Sequence, residues 1–146
     1  MPKFTQEQIL PYPPKLLYQI IMDIEAYPDF LPWVRSAKIL EAREEHMQAE
    51  LEIGAGIWRG SYISQIEHRQ DINGAYSINV VAEKGIFDYL VTNWLIIPAE
   101  EGAKVKFLID FEIKSKILGK VMGSMLTIAT QKMVQAFELR AKELNR

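Results

Sequence analysis

The chain contains no cysteine, which excludes disulfide staples, thiolate metal sites and cysteine nucleophiles and fits a reducing compartment. Histidine is almost as scarce. His46 and His68 stand far apart, without a second histidine or a carboxylate at metal-ligand spacing, and both are expected to be solvated near strand ends. No run approaches the roughly 20 apolar residues of a membrane span. The opening MPKFTQEQILPYPP lacks a basic region followed by an apolar stretch, so neither a secretion signal nor a mitochondrial presequence is expected, and the protein reads as soluble. Positive charge is not in excess: 17 basic against 19 acidic residues give a net charge of -2, so no overall field draws in DNA or anionic lipid. Only local basic patches remain for such contacts.

There is also no repeat, low-complexity run or linker, and 146 residues read as one domain, 1–146. A chain of this size buries roughly 70% of the surface its unfolded form exposes, enough for a core and a cavity within it.

Hydrophobic periodicity divides the chain. An extended start near Lys3 to Leu10 is followed by Pro13 and Pro14, which suit the first turn of a helix because the N–H that proline lacks is not needed there. Leu16, Leu17, Ile20, Ile21 and Ile24 then recur at helical spacing. The helix must weaken before Pro28, since proline pushes its predecessor out of the α region. The segment Tyr27-Pro28-Asp29-Phe30-Leu31-Pro32-Trp33-Val34 is therefore a second short element. From Ser36 to Ile113 the pattern is that of strands. Met47, Ala49, Leu51 and Ile53 alternate with Gln48, Glu50 and Glu52, and Val105, Phe107, Ile109 and Phe111 alternate with charged residues, as in a sheet with one wet face. Asn73-Gly74 is a hairpin signal, and the regular turns predict an antiparallel meander. Gly54-x-Gly56 precedes a strand rather than a helix, so it is a hairpin and not a phosphate loop.

The last segment, Lys116 to Leu144, has no proline and carries an apolar stripe of Leu118, Met122, Met125, Leu126, Ala129, Met133, Ala136, Phe137 and Leu144. At 1.5 Å per residue it reaches about 40 Å and must lie across the sheet. Among the strand aromatics, alternation puts Phe87 on the opposite face from Trp94, which shares its parity with Leu90 and Ile96.

Strand, two short helices, curved antiparallel sheet and long C-terminal helix make an α+β helix-grip order. The residues Tyr27-Pro28, Phe30-Leu31-Pro32, Gly85-x-Phe87-x-x-Leu90-x-x-x-Trp94, Phe107 to Phe111 and Met133-Val134-Gln135-Ala136-Phe137-x-x-Arg140-Ala141-Lys142 carry a resemblance over nearly the whole chain. The sequence resembles the coenzyme Q-binding START family, within the START-like polyketide cyclase superfamily, which also includes ribosome association toxins. It departs from the family pattern at Ile86, Asp88 and Tyr89, where a proline and lysines are common.

The resemblance implies a binder of ubiquinone or a similar isoprenoid lipid, without enzymatic activity and without a further cofactor, that supports respiratory electron transport. The alternative it implies is a protein that binds the large ribosomal subunit and hinders subunit association. The expected cavity lies between sheet and long helix and is lined by Phe30, Leu31, Trp33, Leu90, Trp94, Phe107, Ile109, Met122, Met125, Leu126, Ala129 and Met133. Phe30, Leu31 and Trp33 make either a hydrophobic lid that touches a membrane or a corner that plugs the core. Lys114, Lys116 and Lys120 mark a solvated helix face, or a contact for lipid headgroups or RNA. The expected location is a bacterial cytoplasm with transient contact at the inner membrane.

Overall fold

The computed structural model describes residues 3–145. Seven strands form one antiparallel sheet: β1 (Lys3–Leu10), β2 (Val34–Arg43), β3 (His46–Ala55), β4 (Trp58–Gln70), β5 (Tyr76–Gly85), β6 (Phe87–Ala99) and β7 (Gly102–Ile113). Their spatial order is β1-β7-β6-β5-β4-β3-β2. Strands β2 to β7 are a meander, and β1 closes its far side against β7. Because β1 and β2 lie on opposite edges, the helical segment between them has to carry the chain across the whole sheet.

That segment is α1 (Pro14–Met22), a 3₁₀ turn (Ile24–Ala26) and α2 (Tyr27–Phe30). Pro14 opens α1, and Leu17, Ile20 and Ile21 bury its inner face. Contrary to the expectation at Pro28, Tyr27 stays in the α region, with φ -53° and ψ -41°. Its hydroxyl donates to the Ile21 carbonyl, and its ring packs edge-on against Phe30 and Phe137. These contacts oppose the steric preference that proline imposes.

The long helix α3 (Lys116–Leu144) is capped by Ser115, whose hydroxyl accepts from the Leu118 N–H at 3.1 Å. Its buried stripe is Met122, Leu126, Ala129, Thr130, Val134, Phe137 and Ala141. The sequence stripe overran its end: Leu144 is exposed, because the helix has by then passed the core.

Regular alternation fails at one place that matters. Between β6 and β7, Phe87 pairs with Ile113 and Tyr89 with Glu112, so Asp88 is an extra residue on β6. This bulge reverses the parity, and Phe87 turns inward with Leu90 and Trp94 rather than away from them. A second irregularity, between Ile63 and Ser64 of β4, accompanies the tight end of β5. There Gly85 has φ +113°, and a Cβ at that position would come within 2.1 Å of the Ser61 carbonyl oxygen. Only glycine meets both demands.

Candidate functional site: an apolar cavity under the long helix

The inner face of the sheet and the underside of α3 do not fill the space between them. A cavity of about 120 Å³ remains, bounded by β3 to β7 on the sheet side, by α3 above and by the α1–α2 segment at the side. Aromatic rings form much of its wall. Trp94 and Phe107 lie 4.4 Å apart between centroids, Tyr62 and Phe87 5.1 Å, and Phe87 and Phe111 5.8 Å.

Nine of the sequence-predicted residues lie on this lining: Leu31, Trp33, Leu90, Trp94, Phe107, Ile109, Leu126, Ala129 and Met133. Three do not. Met122 is fully buried in packed core beside the cavity, and Met125 packs against the core from a half-buried position. Phe30 turns to α3 instead, with its ring 5.2 Å from Phe137 and the Arg140 guanidinium 5.1 Å above it. The position of a residue on the helical stripe does not say which part of the stripe meets empty space.

The proline-bounded segment closes the side of the cavity. Leu31 is 1% exposed, and the Trp33 carbonyl accepts from the Gly54 N–H at 3.1 Å, which ties the segment to β3. With Phe30 on Phe137 and Arg140, in the C-terminal part of α3, it spans the gap from that helix to the β3 side of the sheet.

Sequence reasoning missed the polar groups. Tyr62 and Ser64 on β4, Thr92 on β6 and Thr130 on α3 join the lining. The Thr130 hydroxyl donates to the Thr127 carbonyl at 2.9 Å. No hydrogen bond among the described residues reaches the hydroxyl of Tyr62, Ser64 or Thr92. Burial pushes the Tyr62 hydroxyl up to about 12. Burial likewise raises Tyr27, and the neighbouring Tyr62 and Asp23 add to it. Thr92 was legible from its parity with Leu90 and Trp94, and Ser64 from its place between Tyr62 and Ile66.

The lining contains no charged side chain among the described residues. No group of three or more histidine, aspartate or glutamate side chains there is placed to hold a metal ion. The chemistry of this lining suits a neutral, largely apolar molecule with hydrogen-bond acceptors.

Outside the cavity, His68 departs from its expected solvation. Its Nδ1 lies 2.6 Å from the Tyr18 hydroxyl, Tyr18 stacks on Tyr76 at 4.3 Å, and His68 Nε2 is buried without a hydrogen-bond partner among the described residues. Desolvation lowers its pKa, with His46 acting in the same direction and Glu45 opposing.

Residues 10–138 match the family model described as polyketide cyclase / dehydrase and lipid transport. A ribosome association toxin RatA from Rickettsia prowazekii is 42% identical over 144 residues, covering 99% of both chains. A mitochondrial coenzyme Q-binding protein COQ10 from Dictyostelium discoideum is 26% identical over 141 residues, covering 92% of this chain and 66% of its own. Among solved structures, a START superfamily protein from Mycobacterium smegmatis superposes with TM-score 0.78 at 18% identity, covering 97% of this chain and 98% of that one. The Zhui aromatase/cyclase from Streptomyces sp. R1128 gives 0.75 at 13% identity, covering 99% and 96%. At these identities the structures show a shared START-like fold and nothing about activity.

Proposed function

The chain belongs to the polyketide cyclase / dehydrase and lipid transport family, and from that premise we propose that it binds the ring of an isoprenoid quinone such as ubiquinone and carries it to membrane enzymes. One observation carries this reading: the cavity is walled by aromatic and aliphatic side chains, and its uncommitted polar groups are neutral hydroxyls. A quinone has carbonyl acceptors and no donor, so Tyr62, Ser64 and Thr92 match its needs and a charged residue would not. The relative named for coenzyme Q binding supports the same ligand class. With no charged acid or base on the lining, the site suits retention rather than chemistry on the ligand.

Size sets a condition. A cavity of about 120 Å³ is smaller than the roughly 300 Å³ at which ligand pockets usually begin. It approaches the ~150 Å³ that admits a benzene ring. A quinone ring therefore enters only if the wall gives way, and the part assigned to give way is the Leu31–Trp33 segment, which lies between α2 and β2 and is joined to β3 by the hydrogen bond from the Gly54 N–H to the Trp33 carbonyl.

Native mass spectrometry with organic extraction, on protein purified from a ubiquinone-producing host, tests this directly. Stoichiometric quinone supports the carrier. An empty protein that takes up no added quinone sinks it.

A second reading has its own support in the full-length likeness to a ribosome association toxin. In that case the protein sediments with the large ribosomal subunit, and binding falls steeply with salt as phosphate contacts are screened.

A further inference from the structure

Successive turns of an antiparallel meander fall at alternate ends, so the two ends of this sheet can be compared. One end holds the β2–β3, β4–β5 and β6–β7 turns and carries Glu44, Glu45, Asp71, Glu100 and Glu101. The other holds the β3–β4 turn, the β5–β6 turn and the start of α3. These three are knit together: the Ile86 N–H donates to the Ser61 carbonyl at 3.1 Å, and the Lys114 N–H donates to the Ile86 carbonyl at 2.8 Å.

The second end combines two properties. Ile57 is 89% exposed, Trp58 44% and Ile117 71%, so large apolar side chains stand in water both at the β3–β4 turn and at the start of α3. Beside them Lys84, Lys114, Lys116 and Lys120 are exposed and make no ion pair among the described residues. Arg59 already faces Glu52 at 3.9 Å, and among the described side chains Asp88 and the half-buried Glu112 are further carboxylates there. The positive end of the α3 dipole adds to the cations. At the acidic end, Ile72 is exposed beside Asp71, and Ile9 of β1, 51% exposed, pairs with Lys104 next to the β6–β7 turn.

We propose that this basic, apolar end docks on a bilayer that contains anionic lipid. Ile57, Trp58 and Ile117 enter the headgroup layer, where an indole is favoured, and Lys114, Lys116 and Lys120 lie over the phosphates. An RNA surface would use the lysines but would gain nothing from exposed isoleucines, which is why the bilayer is the better match. Tyr62, Phe87 and Phe111 of the cavity wall lie directly inside this end, so docking brings the cavity next to the membrane. The docking itself requires no cargo.

The test is co-sedimentation of lipid-stripped protein with quinone-free vesicles, of phosphatidylcholine alone or mixed with phosphatidylglycerol. Binding is expected only to the phosphatidylglycerol vesicles, and it should weaken with salt. Ile57→Ser/Trp58→Ser and, separately, Lys114→Glu/Lys116→Glu/Lys120→Glu should each release the protein, the latter by more than the roughly fivefold expected for one lost cation. Ile72→Ser should bind as the parent does, and unchanged circular dichroism would show that every variant is folded. Equal binding to both vesicle types, or wild-type binding by both multiple variants, overturns the proposal. So does ribosome co-sedimentation lost in the lysine variant and kept in the Ile57/Trp58 variant without vesicle binding. None of these outcomes depends on quinone uptake, so the two proposals fail separately.

Discussion

The ring of Phe137 on α3 lies 5.1 Å from the Trp94 indole on β6, nearly edge-on at 69°. The same ring meets Tyr27 at 5.5 Å and Phe30 at 5.2 Å, so one side chain joins helix, sheet and closing segment. Phe137→Ala should therefore do two things. It should cost about 3–5 kcal/mol in urea unfolding, as expected for a buried phenylalanine. It should also raise protease cleavage near Leu31, whereas Phe137→Leu should lose much less of both.

Ala129 lies on the cavity wall and is 2% exposed, so a larger side chain there grows into empty space. Ala129→Leu should abolish quinone uptake while leaving the melting temperature within a few degrees of the parent, because filling a void offsets any local crowding. A large loss of stability would mean that the space is already closed in solution.

Tyr62 and Tyr27 should respond in opposite ways to loss of the hydroxyl. The Tyr27 hydroxyl donates to the Ile21 carbonyl, so Tyr27→Phe should destabilise by about 1 kcal/mol. The Tyr62 hydroxyl has no such partner, and Tyr62→Phe should leave urea stability unchanged while weakening quinone binding by roughly fivefold, the value of one hydrogen bond. Isothermal titration and urea melts, run on both variants, separate the two roles.

Alkaline stability follows from the same pair. Both tyrosines bind their protons more tightly in the folded state than at the ordinary value of 10.0, Tyr62 up to about 12. The folded state thus holds protons that the unfolded chain has lost, so the stabilisation is complete below pH 10 and drains away as pH rises toward about 12. Urea midpoints measured across that window should fall, and Tyr62→Phe should flatten the fall. His68 acts at the other end of the scale: its lowered pKa means that the unfolded chain takes up a proton first, so its contribution is lost as pH drops below its ordinary value of 6.5.

Local periodicity was enough to place the strands, the helices and most of the inward faces. Ala49, Leu51 and Ile53, and Val105, Phe107 and Ile109, are buried where alternation put them. The prolines at 13 and 14 marked the start of α1, and Ser115 caps α3 immediately before its first expected residue. Tertiary structure alone decided the rest. The Asp88 bulge turned Phe87 inward, and a bulge is a mismatch between two strands that neither strand records alone. Phe30 went to Phe137 and Arg140, Met122 into packed core, and the hydroxyls of Tyr62, Ser64 and Thr92 to the cavity wall. A cavity is volume that opposing surfaces fail to fill, and that failure exists only once helix and sheet have met.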